Sequence, residues 1–223
     1  MTAHADRQSC YHLPASVRTE RTDRYKGQHA MKQLCVFCGS SPGDDPRYMA
    51  GARDLGHLLA TSGIGVVYGG ASVGLMGALA DSALAAGGEV IGVLPQGLWD
   101  REIGHTGLTR LHIVSTMHER KALMADLADG FITLPGGIGT LEEICEILTW
   151  AQLGVHTKPC GLLDIAGYYA PLIAFFDHMV TARFLKPEDR ARVIVDPDPA
   201  TLLARFAEYV APPANKWLDR ART

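Results

Sequence analysis

The chain has 223 residues, of which 47% are apolar and 20% charged, enough for one well-covered core and incompatible with wholesale disorder. Its 21 Lys and Arg face 24 Asp and Glu, and a net charge of −3 excludes the basic footprint that binds nucleic acid through phosphate neutralisation. The longest apolar stretch, Ala166 to Phe176, is broken by Pro171 and stopped by Asp177, short of the ~20 residues that cross a bilayer.

Residues 1–30 contain only Leu13 and Val17 as aliphatic side chains, among five basic and three acidic ones. Such a segment buries too little apolar area to offset its ordering entropy, and a disordered tail is expected. It has no basic start followed by an apolar run, so the expectation is a soluble cytoplasmic protein without a secretory signal. Met31 directly precedes the first strand and is a candidate start.

Gln33–Cys38 reads as a buried strand. Cys35 and Cys38 have redox-motif spacing, but a redox site of that type caps a helix, whereas strand residues three apart point to opposite faces. The structural reading is therefore preferred. The five cysteines are an odd, irregular set rather than a disulfide framework, and the nine histidines are scattered. No metal site or cofactor is expected.

From there the chain alternates. Strands are expected at Gly65–Tyr68, Glu89–Leu94, Arg110–Val114, Gly130–Leu134, Cys160–Leu163 and Val193–Val195. Helical patterns cover Arg47–Thr61, Leu75–Ala86, His118–Ala128, Leu141–Leu153, Tyr169–Ala182 and Pro199–Tyr209. Continuous apolar strands separated by helices predict a doubly wound α/β fold, a parallel sheet of about seven strands with helices on both faces. Ligands of such sheets sit beyond the strands' carboxyl ends.

Three loops at that edge are rich in glycine: Gly39–Gly43, Gly69–Gly77 and Pro135–Thr140. Their backbone N–H groups suit an anion, and Ser40, Gly69, Gly70, Gly74 and Met76 are phosphate-loop candidates alongside the third loop. None matches a P-loop or a dinucleotide fingerprint, which argues against ATP hydrolysis and Rossmann-type NAD binding. Arg120 and Lys121 open a helix, where cations oppose the dipole unless they meet an anion; the bland alternative is a solvated helix end. Thr140 with Glu143 three residues on reads as a capping box, the structural alternative to any chemical role for Glu143. Glu142 and Glu146 should share a different face from Glu143.

Met117-His118-Glu119-Arg120-Lys121, together with Pro135-Gly136-Gly137-Ile138-Gly139-Thr140-Leu141-Glu142-Glu143, resembles the paired M-H-x-R-K and P-G-G-x-G-T-x-x-E signature of the Lonely Guy family. The resemblance continues through Ile147–Gly154, Lys158–Leu163 and Gly167-Tyr168-Tyr169, and covers Met31 to about Val210. It implies a single Rossmann-like phosphoribohydrolase domain over residues 31–223. The implied reaction is hydrolysis of the N-glycosidic bond of an N6-modified AMP (a cytokinin riboside 5′-monophosphate) or of plain AMP, releasing free base and ribose 5-phosphate. By the same resemblance Arg120 and Glu143 are catalytic, while Glu102, Lys121, Gly136, Gly137, Ile138, Gly139, Thr140, Leu141, Glu142 and Thr149 bind substrate. Ile138 departs from the aromatic residue often found there in plant relatives. Proteins of this signature have also been labelled lysine decarboxylases, but no Lys here has a recognisable pyridoxal-phosphate context. The resemblance implies a homodimer, to which the apolar circumference of Leu141–Gly154 lends support; burial within one chain is the alternative. A non-catalytic carrier on the same fold, like the molybdenum cofactor carriers, is the competing function; it would not need Arg120 and Glu143 together.

Overall fold

The computed structural model describes residues 31–99 and 104–213. The expected tail and Glu102 lie outside them. Seven strands form one parallel sheet: β1 (Gln33–Phe37), β2 (Gly65–Tyr68), β3 (Val90–Pro95), β4 (Arg110–Val114), β5 (Gly130–Thr133), β6 (Cys160–Leu163) and β7 (Val193–Asp196). Their order is β4-β3-β2-β1-β5-β6-β7. The chain winds outward from β1 to β4, then returns to place β5 against β1, with Phe37 opposite Thr133. The switch point therefore falls between β1 and β5, where such sheets open a crevice.

The expected helices are α1 (Pro46–Thr61), α2 (Gly74–Ala85), α4 (Met117–Leu127), α5 (Ile138–Leu153), α6 (Ala170–Thr181) and α8 (Pro199–Ala207). Two four-residue helices, α3 (Gln96–Trp99) and α7 (Pro187–Arg190), are additional, being too short to show a helical period. α7 nevertheless carries start signals: Pro187 in its first turn, followed by Glu188 and Asp189.

Side chains alternate through the sheet into two cores. Leu34 and Val36 join Leu55, Leu59, Leu79 and Phe206 on one face, while Cys35 and Phe37 join Met124, Phe131, Ile144 and Ile147 on the other. Burying each large apolar side chain contributes roughly 1.5–3 kcal/mol. Cys38 lies in the first core and Cys35 in the second, so the C-x-x-C pair is split across the sheet as strand geometry requires. Both thiols are free, and burial first, then the charge of Glu143, pushes them well above the usual thiol range. No described helix is long and apolar enough to cross a membrane.

Candidate active site

The three glycine loops converge at the switch point, and Gly39 ties them together. Its N–H donates to Pro135 O (3.0 Å) and its carbonyl accepts from Leu75 N–H (3.1 Å). Gly74 has φ 57°, and a Cβ there would collide with the backbone of Ser40. At Gly69 a Cβ would strike Arg120 Nη2 and come 3.2 Å from the terminal methyl of Met76. Ser40, Gly69, Gly74 and Met76 are thus brought together beside Arg120. Gly70 is turned toward β3 and β4, where an added Cβ would meet Leu94 and Leu111, and its carbonyl accepts from His105 N–H.

α4 starts with a side-chain cap, backed by a glutamate, that sequence reading overlooked. Thr116 Oγ1 accepts from Glu119 N–H, and Glu119 Oε2 accepts from Ser115 N–H (2.8 Å). The pattern Thr116-x-x-Glu119 could have revealed it. With the helix end satisfied, Arg120 and Lys121 turn inward rather than to solvent. They pair with carboxylates of α5, Arg120 with Glu143 and Lys121 with Glu142 and Glu146.

Arg120 Nε donates to Val93 O (3.1 Å) and Nη1 to Glu143 Oε1 (2.9 Å). Both side chains of this ion pair are only 7% exposed. Burial drives the Glu143 carboxyl above its ordinary range, against the opposing pull of Arg120. A carboxylate stripped of water in this way interacts strongly with any positive charge that develops beside it. Lys121 sits between Glu142 Oε1 and Glu146 Oε2, the latter at 3.0 Å. Burial disfavours its ammonium, but the hydrogen bonds to the two glutamates outweigh that and raise its pKa. Glu142 and Glu146 do share a face distinct from that of Glu143.

The expected capping role of Thr140 is corrected. α5 begins three residues earlier than expected, with Gly137 at its N-cap and no side-chain cap bond. Thr140 lies buried inside the first turn, its hydroxyl packed against Gly136. Glu143 therefore belongs to no capping box and is directed to Arg120. An added Cβ on Gly137 or Gly139 would meet no protein atom within 4 Å, and Ile138 is 81% exposed. The start of α5 is open and exposed, with no side-chain cap on its backbone N–H groups. Leu141 is half-buried against the second core.

Thr149 is not brought to this centre. It is exposed on α5, and its hydroxyl donates to Cys145 O (2.7 Å). The apolar circumference of α5 is largely covered within the chain: Ile144, Ile147 and Ala151 are buried, with Leu148 and Trp150 half-buried against the same core. No group of three His, Cys, Asp or Glu among the described residues is placed to hold a metal. Sequence reading gave no role to Tyr168 and Tyr169, whose hydroxyls reach carbonyls 32 and 35 residues upstream.

A family described as "Possible lysine decarboxylase" matches residues 76–206. The chain is also 51% identical over 168 residues to the cytokinin riboside 5′-monophosphate phosphoribohydrolase of Rhodococcoides fascians, covering 75% of this chain and 85% of that protein. The chain belongs to the Lonely Guy family. A second relative, the Arabidopsis thaliana protein of the same name, is 47% identical over 178 residues, which span 80% of this Lonely Guy chain and 82% of the relative. Among solved structures, the molybdenum cofactor carrier protein of Chlamydomonas reinhardtii superposes with a TM-score of 0.61 at 21% identity, over 80% of this chain and 98% of the other. That likeness extends to the fold alone.

Proposed function

We propose that this protein hydrolyses the N-glycosidic bond of a cytokinin riboside 5′-monophosphate, an N6-modified AMP, and takes AMP itself as a further substrate. The C1′–N bond breaks with its electrons leaving on the purine, water oxygen bonds to C1′, and a water proton ends on the base. The products are free base and ribose 5-phosphate. The observation that carries the reading is the buried Arg120–Glu143 pair beneath the glycine loops, in a chain about half identical to enzymes of that name.

Cleavage develops positive charge on the ribosyl ring, and a desolvated carboxylate facing it stabilises the transition state more than the ground state. Glu143 takes that role and orients the water. Arg120, a guanidinium hydrogen-bonded to Glu143, positions that carboxylate and supplies field rather than a proton. The amides of Gly136, Gly137, Gly139 and Thr140 receive the 5′-phosphate at the N-terminus of α5. Ser40, Gly69, Gly74 and Met76 form the facing wall. Lys121, held charged between Glu142 and Glu146, fixes α4 against α5. Its raised pKa is the opposite of what a Schiff-base lysine needs, which disfavours a decarboxylase reading.

Ile138, Leu141, Glu102 and Thr149 are assigned to the substrate's base end and its surroundings. Thr149 lies about 9 Å along α5 from Glu143 on an exposed face with Glu142 and Cys145, and that stripe is where a second copy would pack in a homodimer. Product analysis with isopentenyl-AMP, AMP and isopentenyladenosine in parallel tests the reading. Free base and ribose 5-phosphate should appear from the monophosphates only. Binding without turnover would favour a carrier, and comparable turnover of the riboside would remove the phosphate site.

A further inference from the structure

We infer that Tyr168 and Tyr169 are positioning residues that turn the loop after β5 into an anion receptor by tying back its carbonyls. The inference rests on the phosphate reading of that loop given above and adds the device that shapes it.

Three successive peptide planes of the loop each have their carbonyl engaged. Tyr169 Oη donates to Leu134 O (2.6 Å), Gly39 N–H donates to Pro135 O (3.0 Å), and Tyr168 Oη donates to Gly136 O (2.5 Å). All the described peptide bonds are trans, so each N–H points away from the carbonyl of its own plane. Fixing Pro135 O sets the direction of Gly136 N–H, and fixing Gly136 O sets that of Gly137 N–H. Pro135 has no N–H, so the first plane offers no donor, and its tie only anchors the start of the loop to the segment after β6. A phosphate would be repelled by any of these carbonyls that swung inward. With all three held, the loop presents donors alone.

The tyrosines are themselves held by an unusual turn. A 3₁₀ turn, Ile165–Gly167, follows β6, and Ala166 adopts φ 58°, a conformation alanine seldom takes. Asp164 braces it: its carboxylate accepts from Tyr169 N–H (2.7 Å), and its own N–H donates to Asp196 O (2.9 Å). Tyr48 and Tyr169 both pack edge-on to the Tyr168 ring, at 5.5 and 5.0 Å between centroids. Backbone strain kept beside a binding loop is what pre-organisation of that loop requires.

The test is Tyr168→Phe, which keeps the ring packing and removes only the tie to Gly136 O. Calorimetric Kd values for ribose 5-phosphate and for adenosine are measured on the full chain, with the melting temperature. Losing one hydrogen bond that orients a donor should weaken ribose 5-phosphate binding about 3–10-fold. Adenosine affinity and Tm should not change. Tyr169→Phe, at a buried position, should weaken ribose 5-phosphate in the same direction, whatever its effect on Tm. Unchanged ribose 5-phosphate affinity in Tyr168→Phe, or an equal loss for adenosine, overturns the assignment while leaving the phosphate reading intact. Failure of ribose 5-phosphate to bind the unaltered protein would instead overturn the phosphate reading, and this inference with it.

Discussion

Helices α4 and α5 both start at the carboxyl edge of the sheet, one after β4 and the other after β5, yet their N-termini are finished in opposite ways. Two side chains close the start of α4: Thr116 Oγ1 accepts from Glu119 N–H, and the Glu119 carboxylate accepts from Ser115 N–H. α5 has Gly137 at the equivalent position, with no side-chain cap and open space around it. A closed end gives a rigid platform, and α4 uses it to hold Arg120 and Lys121 inward. An open end leaves amide donors and the helix dipole for a ligand, and α5 also carries Glu143 one and a half turns further on. On the proposed reading the two helices divide the labour: α4 supplies buried charge, and α5 supplies the phosphate receptor and the reacting carboxylate.

Closing α5 is the strongest way to break this contrast. Gly137 has extended backbone at φ −86°, and a side chain there meets nothing, so Gly137→Asp should fold without strain. Its carboxylate would cap α5 and fill the anion site. Affinity for ribose 5-phosphate should fall by about 10²-fold while stability rises by roughly a few tenths of a kcal/mol. Calorimetry and thermal melting together check both signs.

Gly69→Ala comes next. The new methyl would press on Arg120 Nη2, whose alternatives are limited by Val93 O and Glu143. Displacing the guanidinium by about an ångström should lower kcat ~10-fold or more, with ribose 5-phosphate binding nearly intact. Steady-state kinetics and product titration separate the two. Milder still is acidification. Burial raises the Glu143 pKa above its ordinary 4.5, so the ionised form that the proposed mechanism uses is lost as pH falls through that raised value. The pH profile of kcat should therefore show an acid limb above 4.5 that is absent from Glu143→Gln. The smallest effect belongs to the closed end. Thr116→Ala should cost about 1 kcal/mol in thermal stability and leave ribose 5-phosphate affinity unchanged.

How much of this was legible beforehand differs between strands and loops. Runs such as Gly65–Tyr68 are buried on both faces, so a parallel sheet shows itself directly in composition. The start of α5 was misread because Thr140 and Glu143 have capping-box spacing, and nothing local reveals that Thr140 is tucked against Gly136. The cap that Thr116 and Glu119 do form was hidden in plain view by the two cations behind it. Pairing of Arg120 with Glu143 spans 23 residues and could be reached only through the family signature. The tyrosine ties to Leu134 and Gly136 join distant segments, and spacing along the chain carries no trace of them.

The central claim is that the Glu143 charge acts on the transition state. Glu143→Gln keeps size and an acceptor for Arg120 but removes that charge. Turnover of isopentenyl-AMP by this variant, measured with substrate affinity, is the direct test. kcat should fall ~10²–10³-fold with affinity little changed. Near-normal kcat would contradict the account, and would leave the buried pair as a structural link between α4 and α5.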